Sequence, residues 1–283
     1  MSATQKTIVP RAITDEEVAS FQTDGWVKFD QLISSEQAAL LLGRVKEIMG
    51  ADASRAAHPT RPDSPEEAIP FFHTWEPLAV DLASGASVDD LFYDFSHTRE
   101  VGELVKRLSG RSVRYWIDGA LVKMPMGPGG TGAGPTHWHT DVGTVDTSPF
   151  SPPEGQMQLL IALRDMTPEH GTMRFISPDK QTDAVRKLCE ANAADPESTY
   201  ADLEALGVLS EPISLKAGDA TIHASGTLHS APLNRSDTPR WGYFVSVFPA
   251  TSVYSGNSHF ALDRVEGLEP GGPFVEARFP VLS

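Results

Sequence analysis

Two stretches of this chain gather side chains suited to metal chemistry. The first is His137-Trp138-His139-Thr140-Asp141; the second runs from His223 to His229 and on to Arg240. Residues two apart on a strand face the same side, so His139 and Asp141 can offer an imidazole and a carboxylate to one ion. A third ligand from a distant strand would complete a 2-His-1-carboxylate facial triad, which leaves positions open on Fe(II). A lone His-x-Asp pair arises by chance too readily to carry that reading alone. The second stretch adds context. The Gly218-Asp219 turn leads into a strand predicted to end near His229. Asn234 to Asp237 then reverses the chain, and Arg240 begins the next strand, expected antiparallel and adjacent. That layout brings His229 and Arg240 to one pocket, where an arginine can clamp a carboxylate with two parallel hydrogen bonds.

Other readings compete. His137-x-His139-x-Asp141 is similar to the opening of a dinuclear zinc hydrolase signature, but that signature needs His directly after the Asp, and Val142 stands there. A non-catalytic β-barrel binding protein is the other alternative. His137 is expected at the pocket rim or behind the ligands, and His223 as a buried structural residue. Gly127 to Gly134 lacks the Gly-Lys-Ser/Thr ending of a phosphate loop and reads as a lid or linker over the site. Arg164 and Arg174 read as solvated strand charges.

The elements that must hold these residues follow from periodicity. Thr14 and Glu17 have capping-box spacing for a first helix, and Trp26 to Phe29 reads as a strand. Ser34 and Ser35 open a second helix with Leu41, Val45, Ile48 and Met49 on one face, closed by Gly50. Residues 51–70 read as loop. A third helix after His97-Thr98 carries Val101, Leu104, Val105 and Leu108 and stops at Gly110. Short β-type runs follow at 113–123, 158–163, 172–176, 219–223 and 240–248, interrupted by a helical insertion at about 182–206. Helices first and strands after suggest a β-sandwich or barrel buttressed by N-terminal helices. No composition break divides the 283 residues, so one domain is expected, with helical support over about 14–110 and a β core over about 111–250. The net charge of −15 argues against nucleic acid as a partner, because phosphate binding needs a positive footprint. The single cysteine, Cys189, excludes an intrachain disulfide framework, and no run of residues is long and apolar enough for a membrane span. A cytoplasmic setting is expected.

The layout Gly218-Asp219, His223, His229, Asn234, Arg240, preceded by His139-x-Asp141, resembles the phytanoyl-CoA dioxygenase family. The resemblance runs from about Glu16 to Pro249. It includes the helix and strand around Phe21 to Phe29 and the segment Ile161-Ala162-Leu163-Arg164-Asp165-Met166-Thr167-Pro168-Glu169-His170-Gly171-Thr172. It implies a double-stranded β-helix (jelly-roll, cupin-like) core and Fe(II) held by His139, Asp141 and His229, with 2-oxoglutarate and O2 as co-substrates. Arg240 would bind the far carboxylate of 2-oxoglutarate, with Lys123 as a further co-substrate contact. The implied reaction is oxidation, by default hydroxylation, of a small natural-product-type substrate. Two departures stand out. Ala231 replaces a serine that many members carry two residues after the distal His, and Ser177-Pro178-Asp179-Lys180 replaces the usual turn. Asp141 is retained where halogenating relatives have Ala or Gly, so halogenation is not expected.

Overall fold

The computed structural model describes residues 8–51, 74–126, 134–191 and 196–283. The loop predicted over 51–70 and the glycine-rich stretch 127–134 fall almost wholly outside them. Among the described residues, no helix is long and apolar enough to cross a membrane.

The fold is mainly β and is a double-stranded β-helix: two antiparallel sheets face each other, and helices cover the outside of the larger one. The larger sheet has the order β1-β8-β6-β10-β3-β2. These strands are β1 (Trp26–Phe29), β2 (Thr74–Glu76), β3 (Val113–Lys123), β6 (Met157–Ala162), β8 (Ala220–Ala224) and β10 (Arg240–Pro249). The smaller sheet has the order β4-β9-β7, from Thr136–His139, Leu228–Ala231 and Arg174–Ile176. A third pair joins β5 (Phe150–Ser151) to β11 (Val253–Tyr254).

Strand alternation explains the layering. On β10, Trp241, Tyr243, Val245 and Val247 join a core with the helices, so the residues between them face the small sheet. All ten residues of β10 are buried, as expected for a strand covered on both faces. The helical layer includes α1 (Asp15–Asp24), α2 (Ser35–Met49), α3 (Asp90–Ser96) and α4 (Arg99–Ser109). Capping boxes start the first two: at Thr14 with Glu17, as the spacing predicts, and at Ser34 with Gln37, where only a helix start is predicted. Leu41 and Val45 on α2 and Val101 and Val105 on α4 are buried, each such side chain contributing about 1.5–3 kcal/mol. α3 was not anticipated; at seven residues it is too short for a clear period. Beneath this layer, buried Asp118 accepts hydrogen bonds from Tyr115 Oη at 2.7 Å, Tyr243 Oη at 2.8 Å and the Ala79 N–H at 2.9 Å. Burial nevertheless outweighs these bonds and raises its pKa to about 6.

Three expectations need correction. The strand predicted through to His229 is two strands: β8 ends at Ala224 in the large sheet, and β9 begins at Leu228 in the small one. The corner is fastened by Thr227 Oγ1 donating to Gly25 O at 2.8 Å; a Cβ on Gly25, whose φ is +72°, would lie 2.7 Å from that hydroxyl. β10 consequently pairs with β3 and β6, not with the strand carrying His229. His229 and Arg240 face each other across the gap between sheets. Arg174 is buried rather than solvated: Nε and Nη2 donate to Ser210 O at 2.8 and 2.5 Å, and Nη1 meets Glu204 at 3.0 Å. The chain after Pro249 also contributes structure. Phe274 and Phe279 pack with Trp116, Phe150 and Phe248 in a separate aromatic cluster.

Candidate metal centre and active site

β4 and β9 run antiparallel, and their register sets His139 directly opposite His229. Asp141 lies two residues beyond His139, just past the strand end. One ligand atom from each of His139, Asp141 and His229 lies within 4.8 Å of the others. Asp141 Oδ1 is 3.6 Å from His139 Nε2 and 3.9 Å from His229 Nε2. No other group of three potential ligands converges among the described residues.

The donor chemistry fits a divalent cation. His139 Nδ1 sits 2.8 Å from the His137 carbonyl, and His229 Nδ1 sits 2.9 Å from the Thr227 carbonyl. A carbonyl can only accept, so each Nδ1 carries the proton and each Nε2 keeps its lone pair for a metal. Burial holds the His229 pKa well below the usual histidine range, which keeps that imidazole neutral. Burial alone would raise Asp141. The opposing influence of His229, the hydrogen bond from His223 and the nearby His139 hold it well below the usual carboxylate range.

His223 is the group behind the site that residue types alone did not reveal. It is fully buried, and its Nε2 lies 2.9 Å from Asp141 Oδ2. As expected it is not in the triad, yet it touches a member of it. With Oδ2 occupied by His223, Oδ1 is the oxygen turned toward the two histidines. His137 contributes its carbonyl, and its ring is not among the converging groups.

The three ligands open onto a cavity of about 230 Å³ walled by Ile117, Leu121, Leu160, Met173 and Phe244. Arg240, itself buried, also lines it, and Nη1 donates to the Gly171 carbonyl. Burial lowers its pKa to about 10, so it stays charged at neutral pH. A Cβ on Gly171, whose φ is +70°, would lie 2.2 Å from Pro232 O, so glycine is required where the arginine is anchored. Lys123 stands beside Arg240 in the β3–β10 register but is not among the lining residues. Its Nζ donates to Ala231 O and Pro232 O, both at 2.8 Å, and reaches Thr136 Oγ1 at 3.4 Å. Burial, with Arg240 alongside, pushes its pKa well down. Thr136 pairs with Ala231 across the strands and lines the cavity, so a hydroxyl stands opposite the residue that replaces the family's serine. Nothing in the Thr136-His137-Trp138-His139 run advertises this, because the register is irregular between Thr136 and His139.

Comparison with known proteins agrees with this architecture. The sequence profile of the phytanoyl-CoA dioxygenase (PhyH) family matches residues 8–242, and the chain belongs to that family. Dioxygenase cdmD from Talaromyces verruculosus is 28% identical over 162 residues, which cover 55% of this chain and 47% of that relative. The chain thus matches about half the length of that relative. Among solved structures, the non-haem α-ketoglutarate-dependent epimerase SnoN from nogalamycin biosynthesis superposes with a TM-score of 0.69 at 21% identity, covering 95% of this chain and 98% of its own. The carbocyclase SnoK from the same biosynthesis gives 0.68 at 20% identity, covering 96% and 97%. EctD from S. alaskensis gives 0.62 at 16%, covering 95% of each chain. At these identities the structural likeness establishes the fold.

Proposed function

We propose that this chain binds Fe(II) through His139, Asp141 Oδ1 and His229 and binds 2-oxoglutarate through Arg240, and that it hydroxylates a C–H bond of a small natural-product-type substrate. The observation that carries the reading is the convergence of two imidazoles and one carboxylate on a cavity that also exposes a buried arginine. When bound, the iron and 2-oxoglutarate would turn O2 into an oxidant strong enough for an unactivated C–H bond, with release of succinate and CO2.

The protein's own groups do the positioning. The Nδ1 bonds to backbone carbonyls hold both imidazoles with Nε2 facing inward. Arg240 offers its charge where little water competes, which strengthens pairing with the far carboxylate of a diacid. Its bond to Gly171 O fixes the guanidinium plane. Thr136 supplies a hydroxyl nearby. Lys123 is best read as a strut joining β3 to the end of β9, its donors spent on Ala231 O and Pro232 O, rather than as a co-substrate contact. The apolar walls keep water from the reacting carbon.

Hydroxylation is favoured over epimerisation by the lining. Among the described residues that line the cavity there is no tyrosine or cysteine to return a hydrogen to the opposite face of the carbon. SnoN and SnoK support a biosynthetic substrate through their setting. A reducing compartment suits ferrous iron and the free, buried Cys189. The test is anaerobic addition of Fe(II) and 2-oxoglutarate to the metal-free protein. A visible charge-transfer band is expected, and it disappears in Arg240→Ala and His229→Ala; absence of any band in the wild-type protein refutes the reading.

A further inference from the structure

Beyond Asp141 the cavity continues into a second chamber of about 170 Å³, which shares Ile117, Asp141, Gln158 and Phe260 with the first. Its character differs. The polar side chains added there are Gln156, Ser246 and His259, and aromatic Trp116 forms a wall. Apart from Asp141, no charged residue lines it among those described. Burial lowers the His259 pKa to about 4, so this ring is neutral near pH 7 as well.

Two side chains of the chamber keep donor capacity. Gln158 lies opposite Ser246 on one neighbouring strand and opposite His223 on the other. Ser246 Oγ donates to Gln158 Oε1 at 3.1 Å, which engages one lone pair of that oxygen and turns the amide NH2 to the other side as a donor. His259 Nδ1 accepts from the Ala261 N–H at 3.2 Å, which leaves Nε2–H as its donor. Gln156 Nε2 is already given to Pro153 O at 3.3 Å. Two neutral donors, Gln158 Nε2 and His259 Nε2, therefore face the chamber next to flat rings: Trp116 and His259 centroids are 5.0 Å apart, and His259 and Phe260 4.2 Å.

We infer that this chamber holds the substrate, that the part it holds is an uncharged planar ring bearing a carbonyl-type acceptor, and that Gln158 selects for that acceptor. The inference rests on the oxygenase reading above. An anion would lose its hydration here with no positive side chain in return, and the one carboxylate, Asp141, is already engaged by His223 and the two histidine ligands rather than left for a cation. A ring without an acceptor would leave the Gln158 amide protons unpaired. Directly opposed residues on paired strands lie about 5 Å apart, and His223 holds Asp141. An acceptor bound by Gln158 therefore sets the adjoining ring carbons beside the metal ligands.

The test uses three bicyclic probes: chromone (neutral, with a carbonyl), naphthalene (neutral, no acceptor) and 2-naphthoate (anionic). Binding is followed by quenching of tryptophan fluorescence, in metal-free protein and in protein loaded with Co(II). Chromone is expected to bind most tightly, and Gln158→Leu to weaken chromone about tenfold while leaving naphthalene unchanged. If Gln158→Leu lacks a cooperative thermal transition, the longer and more flexible Gln158→Met takes its place with the same expectation. Tighter binding of 2-naphthoate than of chromone, or chromone affinity indifferent to the substitution, overturns the inference. A separate Co(II) titration without probe reports on the metal site, so loss of metal binding and loss of chamber selectivity are read independently.

Discussion

Replacing His223 isolates the contribution of a residue that never faces the metal. In His223→Leu the bond between Nε2 and Asp141 Oδ2, 2.9 Å long, is lost and the volume is roughly kept. A hydrogen bond to a charged group contributes about 1.5–3 kcal/mol. That bond holds Asp141 with Oδ1 toward His139 Nε2 and His229 Nε2, at 3.6 and 3.9 Å. Without it the carboxylate can rotate, and metal affinity should fall about 10- to 100-fold, the usual consequence of removing a partner behind a ligand. Co(II) is a suitable reporter, because its visible absorption follows ligand number and geometry during titration.

Two controls separate positioning from damage. His223→Gln keeps an N–H donor and should recover most of the affinity. Thermal unfolding without metal shows whether the leucine variant is folded, since its ring also packs 4.3 Å from that of His229. A folded His223→Leu that binds Co(II) with wild-type affinity and an unchanged spectrum would refute the argument.

Three other outcomes are expected. Arg240→Ala should raise the 2-oxoglutarate KM or Kd at least about 30-fold, the scale of losing a buried charge-pair partner, while the Co(II) titration stays as in wild type. Gly171→Ala should destabilise the fold and weaken 2-oxoglutarate binding together, measured by thermal unfolding and calorimetry, because a Cβ 2.2 Å from Pro232 O displaces the carbonyl that anchors Arg240. Asp118, raised to about 6 when folded, binds a proton more tightly folded than unfolded, so its contribution to stability is complete below about pH 4 and is lost as pH rises through 6, roughly 3 kcal/mol in all; in Asp118→Asn, urea unfolding across that range should lack this fall.

How much of this was legible depended on whether a local signal existed. The capping box at Thr14, the helix start at Ser34 and the strand at 113–123 repeat along the chain what the structure does in space, and β10 matched to within a residue. The triad residues were legible as types at a spacing, and the resemblance joined His229 to the pair ninety positions away. What stayed hidden was the partnering. Nothing local says that Ser225-Gly226 turns a corner between two sheets rather than bending one strand. The prediction consequently put His229 and Arg240 in one sheet, where the structure sets them in opposite ones. That difference matters for function. Neighbouring strands would have set the two side chains side by side, whereas opposite sheets leave a gap between them, and the gap is the cavity.

The same reasoning explains Lys123, His223 and Arg174. Each is a polar residue in a β-type run, and by sequence each could face a ligand, solvent or core. Their positions in the folded sheets separate them. Lys123 reaches the carbonyls of Ala231 and Pro232, His223 reaches Asp141, and Arg174 reaches Ser210 O. A buried polar group must find its partners wherever the fold supplies them. In this chain those partners lie 36 to 109 residues away. Sequence spacing can therefore nominate the metal ligands, which share one target, but not the residues that hold them, whose partners become neighbours only when the two sheets close.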